Sequence, residues 1–134
     1  MIAVDTSVAV AAFASWHERH EQARNVLDDD ARLVGHCAVE TYSVLTRLPV
    51  PHRAPGALVQ QFIDKQFPDP HLTLPAREQR RLPRRFVELG LGGGAVYDAL
   101  VALTAAHAGA PLVTCDRRAL DLYRRCGVEA RMLL

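Results

Sequence analysis

Ile2-Ala3-Val4-Asp5-Thr6-Ser7 is the stretch that decides the fold. A short apolar run meets three residues whose side-chain oxygens cap helices. The order predicts a strand, a sharp turn, and then a helix from Val8 to Phe13. Pro111-Leu112-Val113-Thr114 repeats the device near the other end, stopping at Asp116. A helix from Ala119 to about Arg125 follows, Gly127 ends it, and Val128 to Leu133 supplies a last short strand.

The text between these two stretches is mostly helical. Ser15 and Glu18 have the spacing of a capping box, opening a helix that carries Ala23, Val26 and Leu27 on one side. Leu33-Val34 is a candidate strand, followed by a helix from about Ala38 to Leu48 that Pro49 stops. Leu58 and Phe62 belong to another amphipathic helix, ended near Pro68, and Leu72-Thr73-Leu74 is a further candidate strand. An Arg-rich helix interrupted by Pro83 precedes the turn Gly90 to Gly94, and Val96 to Ala108 is a strongly apolar helix ended by Gly109. Short apolar strands alternating with helices predict an α/β fold, a three-layer α/β/α sandwich with a mainly parallel sheet.

Composition agrees. The chain has 134 residues, 49% apolar and 23% charged, enough for one domain over 1–134. Sixteen basic and fifteen acidic residues leave a formal charge of +1, so bulk charge names no polyanionic partner. All the basic residues except Lys65 are arginine, a bias a GC-rich genome explains. Cys37, Cys115 and Cys126 are odd in number and lack CxxC spacing, so they read as buried thiols in a reducing compartment. The apolar start has no basic flank and contains Asp5, which argues against a signal peptide or membrane span and for a cytoplasmic protein.

Ligand sites in parallel α/β sheets lie beyond the carboxyl ends of the strands. Asp5 and Asp116 follow strands directly. Glu40 and Asp98 are expected in the first turns of the helices after Leu33-Val34 and after the Gly90 to Gly94 turn. Strand ends and the helix starts that follow them share one edge of such a sheet, so the four acids are predicted on one side of the molecule. A single acid in a first helical turn is explained by the helix dipole alone, at roughly 0.3–1 kcal/mol. Four together are not, because two carboxylates ~5 Å apart repel by roughly 3 kcal/mol at an effective dielectric of 20. A bound cation is the economical explanation, and an all-oxygen site suits Mg²⁺ or Mn²⁺. Phosphodiester hydrolysis is the reaction such a site serves best.

Val4-Asp5-Thr6-Ser7, Glu40 in a helix, Val96-Tyr97-Asp98-Ala99-Leu100-Val101-Ala102 and Leu112-Val113-Thr114-Cys115-Asp116 together resemble a PIN-domain ribonuclease, and within that group the VapC toxins of type II toxin–antitoxin systems. The resemblance covers essentially the whole chain. It implies a metal-dependent endoribonuclease that uses Mg²⁺ or Mn²⁺, is inhibited by a cognate antitoxin and forms a homodimer. Position by position, Asp5, Glu40, Asp98 and Asp116 match the family's acidic quartet. Asp5 and Asp98 would be the main metal ligands. Glu40 and Asp116 would bind a second ion, hold water, or both. Thr6 and Thr114 match hydroxyl positions that would hydrogen-bond these carboxylates; Ser7 would do similar work or, the favoured expectation, cap its helix. Arg117 and Arg118, beside Asp116, are placed to touch RNA or the antitoxin, or equally to neutralise the carboxylate cluster in the resting protein.

Competing motifs are weaker. His17-Glu18-Arg19-His20-Glu21 lacks the second histidine of a zinc-protease helix and reads as a solvated helix turn. Gly90-Leu91-Gly92-Gly93-Gly94-Ala95 satisfies a dinucleotide fingerprint in form, but a polar helix, not a strand, precedes it. The basic run Arg77, Arg80, Arg81, Arg84, Arg85 reads as a solvated face, with an RNA track as the alternative. Trp16, Tyr42 and Tyr97 are expected to be core or interface aromatics and not base-stacking platforms. Two other functions fit part of the text: a receiver-like signalling module that binds Mg²⁺ without catalysis, and a PIN-like protein that binds RNA without cutting it. The first needs a lysine after a late strand, and Lys65 lies in a helical stretch.

Overall fold

A computed structural model describes residues 1–134 and contains four strands and eight helices. β1 (Ile2–Val4) is followed by α1 (Thr6–Phe13) and α2 (His20–Leu27), then β2 (Ala31–Leu33). α3 (Gly35–Thr46), α4 (Gly56–Gln66), α5 (Ala76–Arg80), α6 (Leu82–Leu89) and α7 (Ala95–His107) lead to β3 (Leu112–Thr114). α8 (Arg117–Arg125) and β4 (Ala130–Met132) complete the chain.

The strand order is β2-β1-β3-β4, and every pairing is parallel. Ala3 stands opposite Arg32 on one side and Leu112 on the other. Parallel neighbours leave a strand buried on both faces, and Ile2, Ala3 and Val4 are all buried. The chain leaves β1 in one direction to reach β2 and afterwards crosses over to reach β3 and β4. With right-handed crossovers this puts α1–α2 and α7–α8 on opposite faces of the sheet, as the expected sandwich requires. It also makes the gap between β1 and β3 the switch point, where a crevice opens at the carboxyl ends of the strands.

Several local expectations need correction. Ser15 and Glu18 form no capping box: residues 15–19 are turn, and α2 starts only at His20 with no side-chain cap. The His17 ring accepts from the Arg19 N–H at 3.0 Å instead, so the local bond that wins belongs to the turn. α3 begins three residues earlier than expected, at Gly35, which moves Glu40 out of the first turn. Gly35 donates its N–H to the Leu72 carbonyl at 2.8 Å, and a Cβ there would meet Thr73 Cγ2 at 3.1 Å. That close approach is all that remains of the expected strand 72–74, a single bridge between Val34 and Leu72. The Arg-rich helix is two helices, α5 and α6, divided at Arg81, with Pro83 in the first turn of α6 where its missing N–H costs nothing. Gly90 then ends α6 in the left-handed conformation (φ 69°). Of the core or interface positions expected for Trp16, Tyr42 and Tyr97, the core is excluded, since they are 51%, 46% and 57% exposed. All three cysteines are free thiols, Cys37 and Cys126 buried and Cys115 half-buried. No helix is long and apolar enough to cross a membrane.

The core is one cluster running through the sheet and both helical layers, with Val4, Leu33, Leu45, Val59 and Leu112 fully enclosed. Removing most of the Leu112 side chain leaves a cavity between β1, β4 and the flanking helices. Leu112→Ala is expected to cost about 2–5 kcal/mol, read as a lower urea midpoint at unchanged slope. Val87→Ala, at a position 79% exposed, is expected to stay within about 0.5 kcal/mol of the parent.

Candidate active site

At the switch point, Asp5 is the residue that leaves β1 and caps α1. Its backbone is extended (φ −98°, ψ −176°), and its Oδ1 accepts from the Val8 N–H at 3.3 Å. Oδ1 also accepts from the Ser7 hydroxyl, and Oδ2 accepts from the Tyr123 hydroxyl at 2.8 Å. Only 3% of the residue is exposed. Burial pushes this carboxyl above the ordinary aspartate range, and the hydroxyls of Ser7, Thr114 and Tyr123 and the Val8 N–H pull it back. A carboxylate has about four acceptor positions. Three are taken here, leaving one on Oδ2.

Asp116 uses the same device at the end of β3. It caps α8 through Oδ1, which accepts from the Arg118 N–H at 2.9 Å, while its own N–H donates to the Thr114 hydroxyl at 2.9 Å. Asp98 lies in the first turn of α7, as expected. Glu40 reaches the same space from the second turn of α3, whose Cys37, Glu40 and Val44 share one face. The four acids line a single cavity of about 290 Å³ together with Thr6, Ser7, His17, Tyr97 and Tyr123. Asp5 is the buried floor, Asp98 is half-buried, and the Glu40 and Asp116 side chains are 46% and 42% exposed at the rim. Burial raises the Asp98 carboxyl, and the charges of Asp116, Asp5 and Glu40 raise it further while His36 opposes them. The four acids therefore feel one another. As the side chains stand, however, no three His, Cys, Asp or Glu groups converge enough to enclose one ion.

A hard divalent ion does not require such a cage. Mg²⁺ is held by one or two carboxylates and keeps several waters, and an all-oxygen donor set with one acceptor position left on Asp5 fits that mode. The thiols do not compete for the chemistry. Burial pushes Cys37 up to about 12 and Cys115 up to about 11, so both are protonated at neutral pH.

The hydroxyls divide differently from expectation. Ser7 is no helix cap, because Asp5 holds that position. Its hydroxyl donates to Asp5, accepts from the Cys115 N–H at 2.8 Å and lies 3.2 Å from the Thr114 hydroxyl, tying the start of α1 to the end of β3. Thr114 is fully buried in that network. The Thr6 hydroxyl is buried without a hydrogen-bond partner, so it supports no carboxylate. Arg117 and Arg118 are exposed, and Arg118 Nε lies 3.8 Å from Asp116 Oδ1.

Tyr123 and His36 were not anticipated. Tyr123 falls four residues after the buried Ala119 on α8, so the inward face of that helix could have flagged it. His36 falls four before Glu40 on α3, with Nε2 3.5 Å from Oε2, and its ring stacks parallel to Tyr97.

Comparison with known proteins matches this arrangement. A family model described as "PIN domain" matches residues 2–125. Ribonuclease VapC40 of Mycobacterium tuberculosis, from strains CDC 1551 and H37Rv, is 48% identical over 133 residues, covering 99% of each chain. Ribonuclease VapC27 of strain H37Rv is 43% identical over 129 residues, covering 96% of this chain and 93% of that one. The chain belongs to the PIN-domain family and, within it, to the VapC group.

Proposed function

We propose that residues 1–134 act as one PIN domain, a metal-dependent endoribonuclease that is the toxin of a type II toxin–antitoxin pair. The observation that carries the proposal is the shared cavity of Asp5, Glu40, Asp98 and Asp116 at the β1/β3 switch point. The similarity to the ribonucleases VapC40 and VapC27 supports it. RNA is the substrate, a cognate antitoxin the inhibitor, and a second copy of the chain the further partner.

Asp5 and Asp98 would hold Mg²⁺ or Mn²⁺, with Glu40 and Asp116 at the rim. When bound, the ion would supply Lewis acidity for activating water and positive charge at the scissile phosphate. The chain's own groups do the positioning. Tyr123, Ser7 and Val8 hold the Asp5 carboxylate in one rotamer. Glu40 and Asp116 accept hydrogen bonds from water at the cavity mouth. Arg117 and Arg118, exposed at the start of α8, offer donors to phosphate oxygens next to that mouth.

RNA cleavage in the presence and absence of a chelator tests the whole proposal. Chelator is expected to stop cleavage and added Mg²⁺ or Mn²⁺ to restore it, whereas full activity in excess chelator would remove the metal from the mechanism. Tyr123→Phe takes the hydrogen bond from Asp5 Oδ2 and leaves the packing; a loss of about 10–100-fold in metal affinity or activity is expected. Asp98→Asn is expected to lose more than that and still fold. Its stability carries a sign. The folded state raises the Asp98 pKa above its ordinary 3.8, so ionisation of this group destabilises the fold as pH rises through the folded value. The variant should therefore melt higher than the parent at pH 7, and the gain should vanish below pH ~4, where the parent's carboxyl is protonated in both states. A melting point at pH 7 below the parent's would contradict this account.

A further inference from the structure

The cavity has a second feature besides its acids. Tyr97, one residue before Asp98, lines it with 57% of its surface exposed. Its ring also has an aromatic neighbour. The His36 imidazole lies parallel to it, with ring centroids 5.7 Å apart and planes 10° apart, inside the range of offset stacking. His36 is itself fixed on α3, with Nε2 3.5 Å from Glu40 Oε2. Two helices thus hold one flat ring beside the acids, with one face backed by an imidazole.

The charge of the cavity says what that ring is for. Four carboxylates repel a phosphodiester backbone, so part of the affinity for a nucleic acid must come from contacts that carry no charge. A base offers such a contact through its π-face, and stacking on an aromatic side chain tolerates any base. A duplex hides those faces, whereas a single strand exposes them. Trp16 is also exposed and packs against His52 at a tilt of 40° with centroids 4.4 Å apart, but it does not line the cavity. Tyr97 does.

We infer that Tyr97, backed by His36, is the platform on which a base of single-stranded RNA stacks beside the phosphate that is cut. This rests on the nuclease reading above and adds the contact that seats the strand. Stacking of this kind contributes to binding and not to the chemical step, so it should appear in KM and leave kcat nearly unchanged.

The experiment uses short single-stranded RNAs, each carrying 2-aminopurine at one position, with cleavage and binding followed on the full chain. Stacking quenches 2-aminopurine, so the parent is expected to quench it strongly at one position or two adjacent ones. Tyr97→Ala should lose that quenching, bind about tenfold more weakly and show a KM raised by a similar factor. Tyr97→Phe should behave as the parent. Tyr97→Leu should behave as the alanine variant, because it keeps apolar bulk and loses the π-face. Circular dichroism and melting of each variant establish that the fold is kept. Parent-like KM and quenching in Tyr97→Ala would overturn the inference while leaving the nuclease reading intact. Full rescue by leucine would also overturn it, assigning the residue to apolar burial. A changed oligomeric mass with unchanged RNA binding would assign the ring to a protein contact and overturn it as well. A parent that neither cuts nor binds RNA would overturn the nuclease reading and this one together.

Discussion

A buried carboxylate at the end of β1 is the constraint on which the rest of the structure is arranged. Asp5 cannot move away from the sheet, because its backbone leaves β1 and starts α1, and its side chain closes the first turn of that helix. Burial penalises its charge, and the neighbouring hydroxyls and the Val8 N–H offset only part of that penalty. The groups that supply the offset come from distant parts of the chain. Tyr123 lies 118 residues away and the Thr114 hydroxyl joins through Ser7, so the docking of α8 and the pairing of β1 with β3 bring the donors that offset part of the cost of burying Asp5. Folding and the preparation of the site are the same event.

Asp5 and Asp116 are chemically equivalent solutions to one problem. Each ends a parallel strand, each caps the helix that follows, and each leaves acceptor capacity toward the crevice. The difference between them is burial, and it separates their roles. Asp5 is enclosed and held by three donors, whereas Asp116 is nearly half-exposed and shares its Oδ1 with the start of α8 and with Arg118. A rigid floor and an adjustable rim suit the proposed site, in which an ion would be held in one place and a long polymer admitted in many registers.

Much of this was legible in the text because it is local. A short apolar run ending in Asp-Thr-Ser specifies strand, turn and helix through capping chemistry alone, and two such units imply a parallel sheet with acids at one edge. Glu40 and Asp98 followed from the same edge rule, although α3 starts earlier than its apolar pattern suggests because the bridge from Val34 to Leu72 orders residue 35. The expected capping box at Ser15 failed for the opposite reason: a local turn through the His17 ring outcompeted the helix start. Tyr123, and Ser7 as a link from the start of α1 to the end of β3, depend on contacts more than 100 residues apart in sequence, and no pattern of spacing reports those. Exposure of Tyr97 was illegible too, since an aromatic on an apolar helix looks like core from its sequence alone.

The distribution of charge makes sense of the near-neutral composition. A formal charge of +1 conceals a strongly acidic crevice and arginines spread over the rest of the surface. Screening over about 8–10 Å at ordinary salt keeps the two from cancelling at a distance, so an approaching RNA meets attraction outside and repulsion at the cut site. Repulsion of that kind is useful in a nuclease. Under the proposed mechanism it would make productive seating depend on the cation and shift the work of holding the strand to groups without charge and to the arginines at the start of α8. The same crevice without a cation is a natural place for a basic side chain of an inhibitor, since a guanidinium satisfies the carboxylates that the ion would otherwise satisfy. Substrate and inhibitor would then compete through one electrostatic deficit, which the fold creates by gathering four acids at the only sheet edge where strand ends and helix starts meet.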